Sequence, residues 1–295
     1  MGSGPLTKHP LLTQTEASMD IEVLNKLGDL RRYMRGLDSA LVALSGGVDS
    51  SLVAFIACQE LGPKALAVTS GSQSLKREDL VLAQSITADW GMQHLVIETA
   101  ELENSDYARN PVNRCYYCKS TLYVEMRKIA RDRSIPWILN GTNLDDMGDH
   151  RPGLLAAQEY EVRSPLVECG FRKADIRAVA AHLNLKNAGK PQAACLSSRV
   201  PYGTPVTRDL LVRIERAENV LSGMGFTQFR VRHHGDVARL ELIPAEFQMA
   251  IEHRAELVAA LKACEYQFVS LDLYGFRSGA MNHSVARGIP LKVGS

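Results

Sequence analysis

The sequence contains no long hydrophobic segment: none of its apolar runs approaches the roughly 18 residues that a membrane-spanning helix needs. Its first ten residues, MGSGPLTKHP, also lack the charged-then-apolar order of a secretory signal. Both absences argue against a membrane or secreted protein. We therefore expect a cytoplasmic protein without a membrane partner, in which the six cysteines are reduced.

An excess of charge of either sign is also missing. The 34 Lys and Arg residues nearly balance the 33 Asp and Glu residues, and the balance holds on both sides of residue 199. Nucleic-acid-binding proteins usually carry a basic surplus on at least one domain, so the charge argues against a polyanionic partner. With 45% hydrophobic and 23% charged residues, and no repeat or low-complexity segment, disordered and collagen-like chains are excluded.

The 295 residues suffice for one large domain or two ordinary ones, and their pattern favours two. After an amphipathic helix at residues 19–37, short apolar strands alternate with helical segments. The predicted strands are 40–44, 65–69, 94–99 and 136–140, and the predicted helices are 52–61, 76–90, 121–133 and 173–183. Strands joined by crossover helices predict an α/β fold with a doubly wound parallel sheet.

A second pattern begins after residues 187–191, which read as a linker. It contains helices at 208–224 and 245–264, paired strands at 228–232 and 237–242, and a last strand at 267–273. This arrangement predicts a small α+β domain. We therefore divide the chain into an N-terminal domain of residues 1–190 and a C-terminal domain of residues 191–295.

The most informative motif follows the first predicted strand and reads Ser45-Gly-Gly-Val-Asp-Ser-Ser51. Its two glycines allow a tight turn and a close approach to a ligand, and the N-terminus of the following helix can bind phosphate oxygens. The motif has neither the Gly-Lys-Ser/Thr of a Walker loop nor the three glycines of the dinucleotide fingerprint. An ordinary strand-to-helix turn is the simpler alternative.

This motif resembles the pyrophosphate loop (PP-loop) of the ATP pyrophosphatases, which cleave ATP between its α and β phosphates. The resemblance implies that five residues hold the pyrophosphate, namely Ser45, Gly46, Gly47, Ser50 and Ser51. It also implies that Asp49 helps to place Mg²⁺ or the loop itself. Ligands of such folds lie at the carboxyl ends of the strands, so residues after other strands would line the same crevice, namely Ser70, Gly141 and Thr142.

Three of the six cysteines are candidate metal ligands. Cys115 and Cys118 open a predicted helix, where the helix dipole favours thiolates, and Cys195 lies in the interdomain segment. A zinc site wants four ligands and would need Cys169 or a histidine, whereas three thiolates can hold an iron–sulfur cluster with one open iron. Three unrelated thiols are the remaining alternative. Two cysteines on predicted helices are expected to pack in the core, Cys58 and Cys264.

Further motifs follow in order along the chain: Asp149-His-Arg-Pro-Gly153, Cys195-Leu-Ser-Ser-Arg-Val-Pro-Tyr-Gly203, Phe229-Arg-Val-Arg-His-His-Gly-Asp236 with Glu241, and Asp272-Leu-Tyr-Gly-Phe-Arg-Ser-Gly279. Together with the loop they resemble the LarE family of sulfur transferases, which matures the nickel-pincer nucleotide cofactor of lactate racemase. The resemblance covers nearly the whole chain from about residue 20.

The resemblance implies a reaction in which ATP adenylates a carboxylate of a pyridinium mononucleotide and sulfur then displaces AMP to leave a thiocarboxylate. In one branch of the family a single cysteine gives up its sulfur. In the other, three cysteines hold a [4Fe–4S] cluster that carries a sulfide, and Cys115, Cys118 and Cys195 match this branch. The implied cofactors are ATP, Mg²⁺ and the cluster, and the implied partners are the small nucleotide, a sulfide donor and further copies of the chain in a homo-oligomer such as a hexamer.

Three arginines suit the phosphate and carboxylates of such a substrate, because a guanidinium pairs with both groups: Arg199, Arg230 and Arg232. A solvated strand face is the alternative for the last two. Glu218 and Glu241 match acidic positions near the reacting site of the family, which makes Glu241 a catalytic candidate beside Asp49 and the three cysteines. Spacing alone places both glutamates at the surface.

Three other functions fit part of the sequence. A tRNA thiolase of the PP-loop class also combines this loop with a three-cysteine cluster, but the balanced charge and Val48, where such enzymes tend to carry Lys, argue against it. The second is a PP-loop amide ligase with structural zinc. The third, a non-catalytic nucleotide-binding or metal-storage module, would have little need for the arginine-rich C-terminal motifs.

Overall fold

A computed structural model describes residues 20–148, 152–191 and 194–277. Within these ranges the helices are α1 Ile21–Arg35, α2 Val48–Leu61, α3 Arg77–Asp89, α4 Ser105–Ala108, α5 Arg114–Asp132, α6 Leu144–Met147, α7 Pro152–Glu159, α8 Pro165–Glu168, α9 Lys173–His182, α10 Arg208–Gly223, α11 Phe247–Glu252 and α12 Arg254–Ala263. The strands are β1 Ala40–Ala43, β2 Ala65–Ser70, β3 Gln93–Ile97, β4 Trp137–Leu139, β5 Phe229–His234, β6 Val237–Leu242 and β7 Phe268–Leu271. Motif residues 149–151, 278 and 279 lie outside the described ranges.

The first sheet is parallel throughout and has the order β3-β2-β1-β4. Successive residues of a strand point to opposite faces, and β1 serves two cores in this way. Ala40 and Val42 pack with α1, α2 and α9 on one face, while Leu41 and Ala43 pack with α5 and α7 on the other. Helices on both faces of a parallel sheet confirm the predicted doubly wound α/β architecture.

The strand order places a topological switch point beside β1. The chain runs from β1 through β2 to β3 on one side and returns to add β4 on the other side. In open parallel sheets, ligands bind outside the carboxyl ends of the strands at such a point. The segment after β1 and the segment after β4 meet there, and these are the segments that carry Ser45-Gly46-Gly47 and Gly141.

The second sheet has three strands in the order β5-β6-β7, with β5 and β6 antiparallel and β6 and β7 parallel. Its apolar face packs against α10 and α12 through residues such as Val231, Leu221 and Leu261, which are fully buried. A further apolar cluster joins Tyr107 of α4 to Leu196, Val200 and Ile214, so the two sheets are connected by packed side chains.

Several predicted boundaries are wrong. The helix expected from residue 52 begins at Val48, because the chain is still extended at Gly47 and turns helical directly after it. The helix expected at 245–264 is two helices, α11 and α12, which meet at His253. The strand expected at 228–232 continues to His234, because the turn falls at Gly235, whose φ is +61°. Four short helices were not predicted: α4, α6, α7 and α8.

In the described part of the chain, none of the helices is both long enough and apolar enough to cross a bilayer.

Candidate active site

The loop between β1 and α2 forms an anion-binding turn. Gly47 caps α2 without a side-chain hydrogen bond, so the first N–H groups of this 14-residue helix are available to a ligand. The Ser50 hydroxyl braces the turn: it accepts from the Ser45 N–H at 3.2 Å and donates to the Gly47 carbonyl at 3.1 Å. Ser45 is exposed, whereas Ser51 is fully buried beneath the turn.

Two glycines let neighbouring segments approach this turn closely. Gly46 has φ +74°, and a side chain there would place its Cβ only 2.7 Å from the Asp79 carbonyl oxygen. A Cβ on Gly141, after β4, would lie 2.5 Å from the Ser50 backbone nitrogen. Gly141 therefore permits contact between the end of β4 and the first turn of α2, which closes the crevice at the switch point.

Asp49 is held by a lysine. Both oxygens of its carboxylate accept from Nζ of Lys173, at 2.6 and 2.5 Å, at the start of α9. Burial raises the pKa of Asp49, and the Lys173 ammonium acts against that rise. Of the two roles expected for Asp49, this contact favours placing the loop. Mg²⁺ usually binds through only one or two carboxylates together with substrate phosphates, so Mg²⁺ arriving with ATP fits this crevice.

The remaining residues expected at the crevice lie at strand ends. Ser70 ends β2, and its hydroxyl lies 2.6 Å from the Thr99 hydroxyl beyond β3. Thr142 follows Gly141 and donates its N–H to Oδ1 of Asn140 at 3.0 Å.

The first turn of α5 carries Cys115, which is exposed, and Cys118, which is half-buried. Cys195 is half-buried and caps a 3₁₀ turn over Leu196–Arg199. Burial raises the pKa of Cys118, and charges on Glu101, Cys195 and Cys115 raise it further. The segments that carry these cysteines lie side by side, because Arg114, which precedes Cys115, donates to the carbonyl of Ser197.

Arg114 ties the two cysteine-bearing segments to each other. Its guanidinium is buried and donates from Nη1 to the Ser197 carbonyl at 2.9 Å and to Oδ1 of Asn110. The Asn110 amide in turn donates to the carbonyls of Pro201 and Thr204, at 2.7 and 3.0 Å. These bonds hold the residues that follow Cys195 against the start of α5.

A buried tyrosine adds a second link. The Tyr107 hydroxyl lies 2.6 Å from the hydroxyl of Ser74 and 2.6 Å from that of Ser197. The Ser74 carbonyl also accepts from the Leu196 N–H at 2.8 Å, directly beside Cys195. The position of Cys195 is therefore set by hydrogen bonds from the segments after β2 and in α4.

The donor atoms that Cys115, Cys118 and Cys195 could offer to a metal are thiol sulfurs. The N-terminus of α5 and the Arg114 cation favour negative charge on nearby thiols. Against the effect of burial, the charges of Cys195 and Cys115 in turn raise the pKa of Arg114, whereas burial opposes ionisation of Cys118. Among the described residues, no three His, Cys, Asp or Glu side chains stand as a ready-made site for a metal ion. The thiols share one region without forming a preassembled single-ion site.

The predicted substrate arginines are buried, so the solvated-face alternative is wrong. Arg199 makes a two-point pair with Glu218, with Nε–Oε1 at 2.7 Å and Nη2–Oε2 at 2.9 Å. Nζ of Lys76 lies 2.7 Å from the same Glu218 carboxylate. Burial alone would raise the pKa of Glu218, but Arg199 and Lys76 outweigh it and lower the pKa to about 2.

Arg232 is bound in a similar way. Its Nη2 donates to Glu241 at 2.9 Å and its Nη1 to the Ser198 carbonyl at 2.6 Å, while Arg239 approaches the second Glu241 oxygen at 3.2 Å. Glu218 and Glu241 are each only 2% exposed, so the surface position expected from their spacing is wrong. Arg230 and Arg232 are two residues apart on β5 and therefore lie on the same face of the strand.

Arg230 differs from its two neighbours. Its guanidinium stands over the Phe276 ring at 5.1 Å and makes no hydrogen bond or ion pair with any described residue, although the residue is only 6% exposed. Burial and the positive charges of Arg199 and Arg232 lower the pKa of Arg230 to about 10, so it is still charged at neutral pH. A buried cation without a carboxylate partner is suited to binding an anion.

Comparison with known proteins agrees with this arrangement. The profile of the asparagine synthase family matches residues 30–130. The uncharacterized protein slr1717 of Synechocystis is 41% identical over 266 residues, which are 89% of this chain and 99% of that protein. The pyridinium-3,5-bisthiocarboxylic acid mononucleotide synthase of Lactiplantibacillus plantarum is 34% identical over 263 residues, which are 89% of this chain and 95% of the synthase. The chain belongs to the family of this synthase, the LarE family.

As a member of the LarE family, the chain is an ATP-using sulfurtransferase with a PP-loop domain. The similarity extends to an uncharacterized protein of Methanocaldococcus jannaschii, MJ0830, which is 24% identical over 245 residues, 81% of this chain and 90% of that protein.

Several residues around this site carry no recognisable signal in the sequence: Lys76, Tyr107, Arg114, Lys173 and Asn187. Each acts through a contact with a residue far away in the chain, so no local spacing identifies it. For Arg114 the sequence offers one hint, its position directly before Cys115, but its burial is visible only in the folded chain. The remaining cysteines behave as packing residues: Cys264 is buried in the second core, and Cys58 and Cys169 pack against the first.

Proposed function

We propose that this protein inserts sulfur into a pyridinium dicarboxylate mononucleotide in the biosynthesis of the nickel-pincer nucleotide cofactor. ATP adenylates a carboxylate, pyrophosphate leaves, and sulfur then displaces AMP to form a thiocarboxylate. We also propose that Cys115, Cys118 and Cys195 hold a [4Fe–4S] cluster. The L. plantarum relative supports the substrate class, because its name describes the doubly thiocarboxylated mononucleotide as its product.

The observation that carries the three-cysteine route is the buried Arg114 link. Arg114, which directly precedes Cys115, is only 3% exposed. Its guanidinium donates to the carbonyl of Ser197, two residues after Cys195. Three unrelated thiols would not need such a connection between their segments. Burying a cation is costly unless it is well bonded, and the bonds of Arg114 to Asn110 and Ser197 offset that cost while they hold the two segments together.

The chain's own residues would divide the work as follows. The first N–H groups of α2 and Ser45 bind the pyrophosphate, and Lys173 holds Asp49 so that the loop keeps its shape. Arg230 binds the phosphate or a carboxylate of the mononucleotide. Arg199 and Arg232 contribute positive potential from fixed positions, because Glu218 and Glu241 orient their guanidinium planes.

A cluster held by three thiolates would supply one open iron, at which a sulfide can be carried as the nucleophile. The residues around it bind and orient. The α5 N-terminus and Arg114 stabilise the negative charge of the thiolates, and Tyr107 fixes the turn after Cys195. We further propose that residues 1–190 form the adenylating domain and residues 191–295 the sulfur-transfer domain, in a cytoplasmic homo-oligomer such as a hexamer.

Purification without oxygen tests the cluster. Iron, acid-labile sulfide and visible absorbance are measured on the wild type and on four variants: Cys115→Ala, Cys118→Ala, Cys195→Ala and Cys58→Ala. We expect an iron–sulfur chromophore that the first three substitutions abolish and the fourth leaves unchanged. Colourless protein with one zinc per chain would contradict the proposal, as would full iron retention in any of the first three variants.

The substrate is tested separately. Incubation with ATP and the dicarboxylated pyridinium mononucleotide is expected to release AMP and pyrophosphate only when both are present. Tight tRNA binding that weakens steeply with salt, with no AMP released on addition of the mononucleotide, would favour the tRNA thiolase instead.

A further inference from the structure

The stretch expected to be a linker carries a residue that is bound to the nucleotide loop. Asn187 is 2% exposed, and its Nδ2 donates to the Gly46 carbonyl at 3.0 Å and to the Ser51 hydroxyl at 2.8 Å. These two acceptors lie more than 130 residues earlier in the chain. One side chain thus bridges the turn and the first turn of α2.

The same stretch supports the loop a second time. Lys190 pairs with Asp79, which is 5% exposed, and the Asp79 carbonyl is the group that lies against Gly46. Residues 187–190 therefore contact the loop directly through Asn187 and indirectly through Asp79. A flexible connection between domains would need neither contact.

The Asn187 amide is also incompletely satisfied. Its Oδ1 is buried and accepts no hydrogen bond from any described residue. Leaving a buried acceptor unmet costs about 1–3 kcal/mol. The two donated hydrogen bonds, rather than the amide oxygen, are what tie this position to the loop.

The bond to Gly46 has a consequence for its neighbour. A trans peptide is planar, so the Gly46 carbonyl and the Gly47 N–H point in opposite directions. Holding the carbonyl towards Asn187 therefore aims the Gly47 N–H away from it. The N–H groups of Gly46 and Gly47 donate to no described residue, which leaves them available for phosphate oxygens.

We propose that Asn187 is a positioning residue for the nucleotide loop: it fixes the Gly46–Gly47 peptide so that the loop N–H groups face the pyrophosphate of ATP. The Ser51 hydroxyl then has a structural role: it accepts the Asn187 hydrogen bond and does not contact a phosphate. This inference rests on the proposed assignment of the loop to pyrophosphate.

The test is the affinity of the full-length protein for ATP, inorganic pyrophosphate and AMP, measured by calorimetry. We expect Asn187→Ala and Asn187→Asp to lower the affinity for ATP and for pyrophosphate about tenfold, since the two hydrogen bonds that hold the loop are lost. AMP lacks the pyrophosphate and should bind as it does to the wild type. Lys186→Ala, an exposed neighbour, is the matched control and should change none of the three affinities.

A loop variant separates failure of this inference from failure of the loop assignment. Gly47 has an ordinary φ of −77°, and a Cβ there meets only the Ser45 hydroxyl, at 3.4 Å, so Gly47→Ala should fold. Weaker ATP binding in Gly47→Ala with unchanged binding in both Asn187 variants would overturn the role of Asn187. Equal losses for AMP and ATP would overturn it too, because they indicate general disruption. Unchanged ATP binding in Gly47→Ala would overturn the loop assignment and the inference together.

Discussion

Arg199 and Glu218 form a two-point ion pair inside the protein, with N–O distances of 2.7 and 2.9 Å and side chains that are 3% and 2% exposed. Arg199 ends the 3₁₀ turn that follows Cys195, and Glu218 lies on α10. Glu218 also accepts from the Val231 N–H at 3.1 Å, next to Arg230. This one pair therefore connects the cysteine segment to the strand that carries Arg230.

Removing the negative charge from this pair should destabilise the fold. Glu218→Gln leaves Arg199 and Lys76 without their anionic partner, and we expect a loss of about 3 kcal/mol in the free energy of unfolding at pH 7. Urea denaturation measures this loss. Glu256→Gln, an exposed glutamate on α12, is the control and should change the free energy of unfolding by less than about 0.5 kcal/mol.

The same pair predicts a pH dependence. The pKa of Glu218 falls from 4.5 to about 2 on folding, so its stabilising contribution is complete above pH 4.5 and is lost as the pH falls towards 2. The difference in unfolding free energy between wild type and Glu218→Gln should therefore shrink between pH 4.5 and pH 3. A difference that stays constant over this range would contradict the ion pair.

Arg230 and Arg232 should respond in opposite ways to the same substitution. Arg230→Met removes a cation that has no carboxylate partner in the described part of the chain, so we expect unchanged or higher thermal stability together with at least a tenfold rise in KM for the mononucleotide. Arg232→Met leaves Glu241 with only the more distant Arg239, so we expect lower stability by roughly 3 kcal/mol. Thermal unfolding and steady-state kinetics measure the two effects. Equal stability losses in both variants would show that Arg230 is a structural residue.

The Tyr107 hydroxyl should matter for iron binding as well as for stability. Tyr107→Phe removes the hydroxyl that Ser74 and Ser197 share, although their mutual hydrogen bond at 3.1 Å remains, so we expect a loss of about 1 kcal/mol in the free energy of unfolding. We expect less iron per chain after anaerobic reconstitution, because the turn after Cys195 loses its anchor. The control is Tyr33→Phe, which removes the hydroxyl of a tyrosine on α1. A variant that is less stable but binds the wild-type amount of iron would limit Tyr107 to a structural role.

Asp49 and Lys173 should be energetically coupled. In a double-mutant cycle with Asp49→Asn and Lys173→Gln, we expect each single variant to weaken ATP binding and the double variant to be no weaker than the worse single one. Calorimetric titration with ATP and Mg²⁺ measures the coupling. The opposite result would be affinity losses that add up in the double variant, together with a change in the Mg²⁺ dependence of ATP binding in Asp49→Asn alone. It would show that Asp49 acts on the metal ion.

The parts that were predictable from sequence are those with local periodicity or local motifs. The alternation of Ala40, Leu41, Val42 and Ala43 between two cores is a property of a parallel strand, and the loop before α2 follows from its glycines and serines. Resemblance to the LarE family added the pairing of distant cysteines, which spacing alone left open among zinc, a cluster and unrelated thiols.

The parts that were missed depend on tertiary contacts. Asn187 lies in a stretch whose composition is typical of a linker, and only the folded chain shows its amide on Gly46. Glu218 has the spacing of a surface residue on α10, yet Arg199 and Lys76 make its burial tolerable. In both cases the partner comes from another segment, so the environment of the residue cannot be inferred from its neighbours in the sequence.

The central claim is that the protein uses ATP and its three cysteines to insert sulfur repeatedly. The most direct measurement is the amount of thiocarboxylated mononucleotide formed per chain, by mass spectrometry, when anaerobic protein is given ATP, the dicarboxylated mononucleotide and excess sulfide. The account predicts more than one product molecule per chain, and none with Cys195→Ala. Product that stops at one per chain, with sulfur lost from a cysteine, or no thiocarboxylate at all, would contradict it.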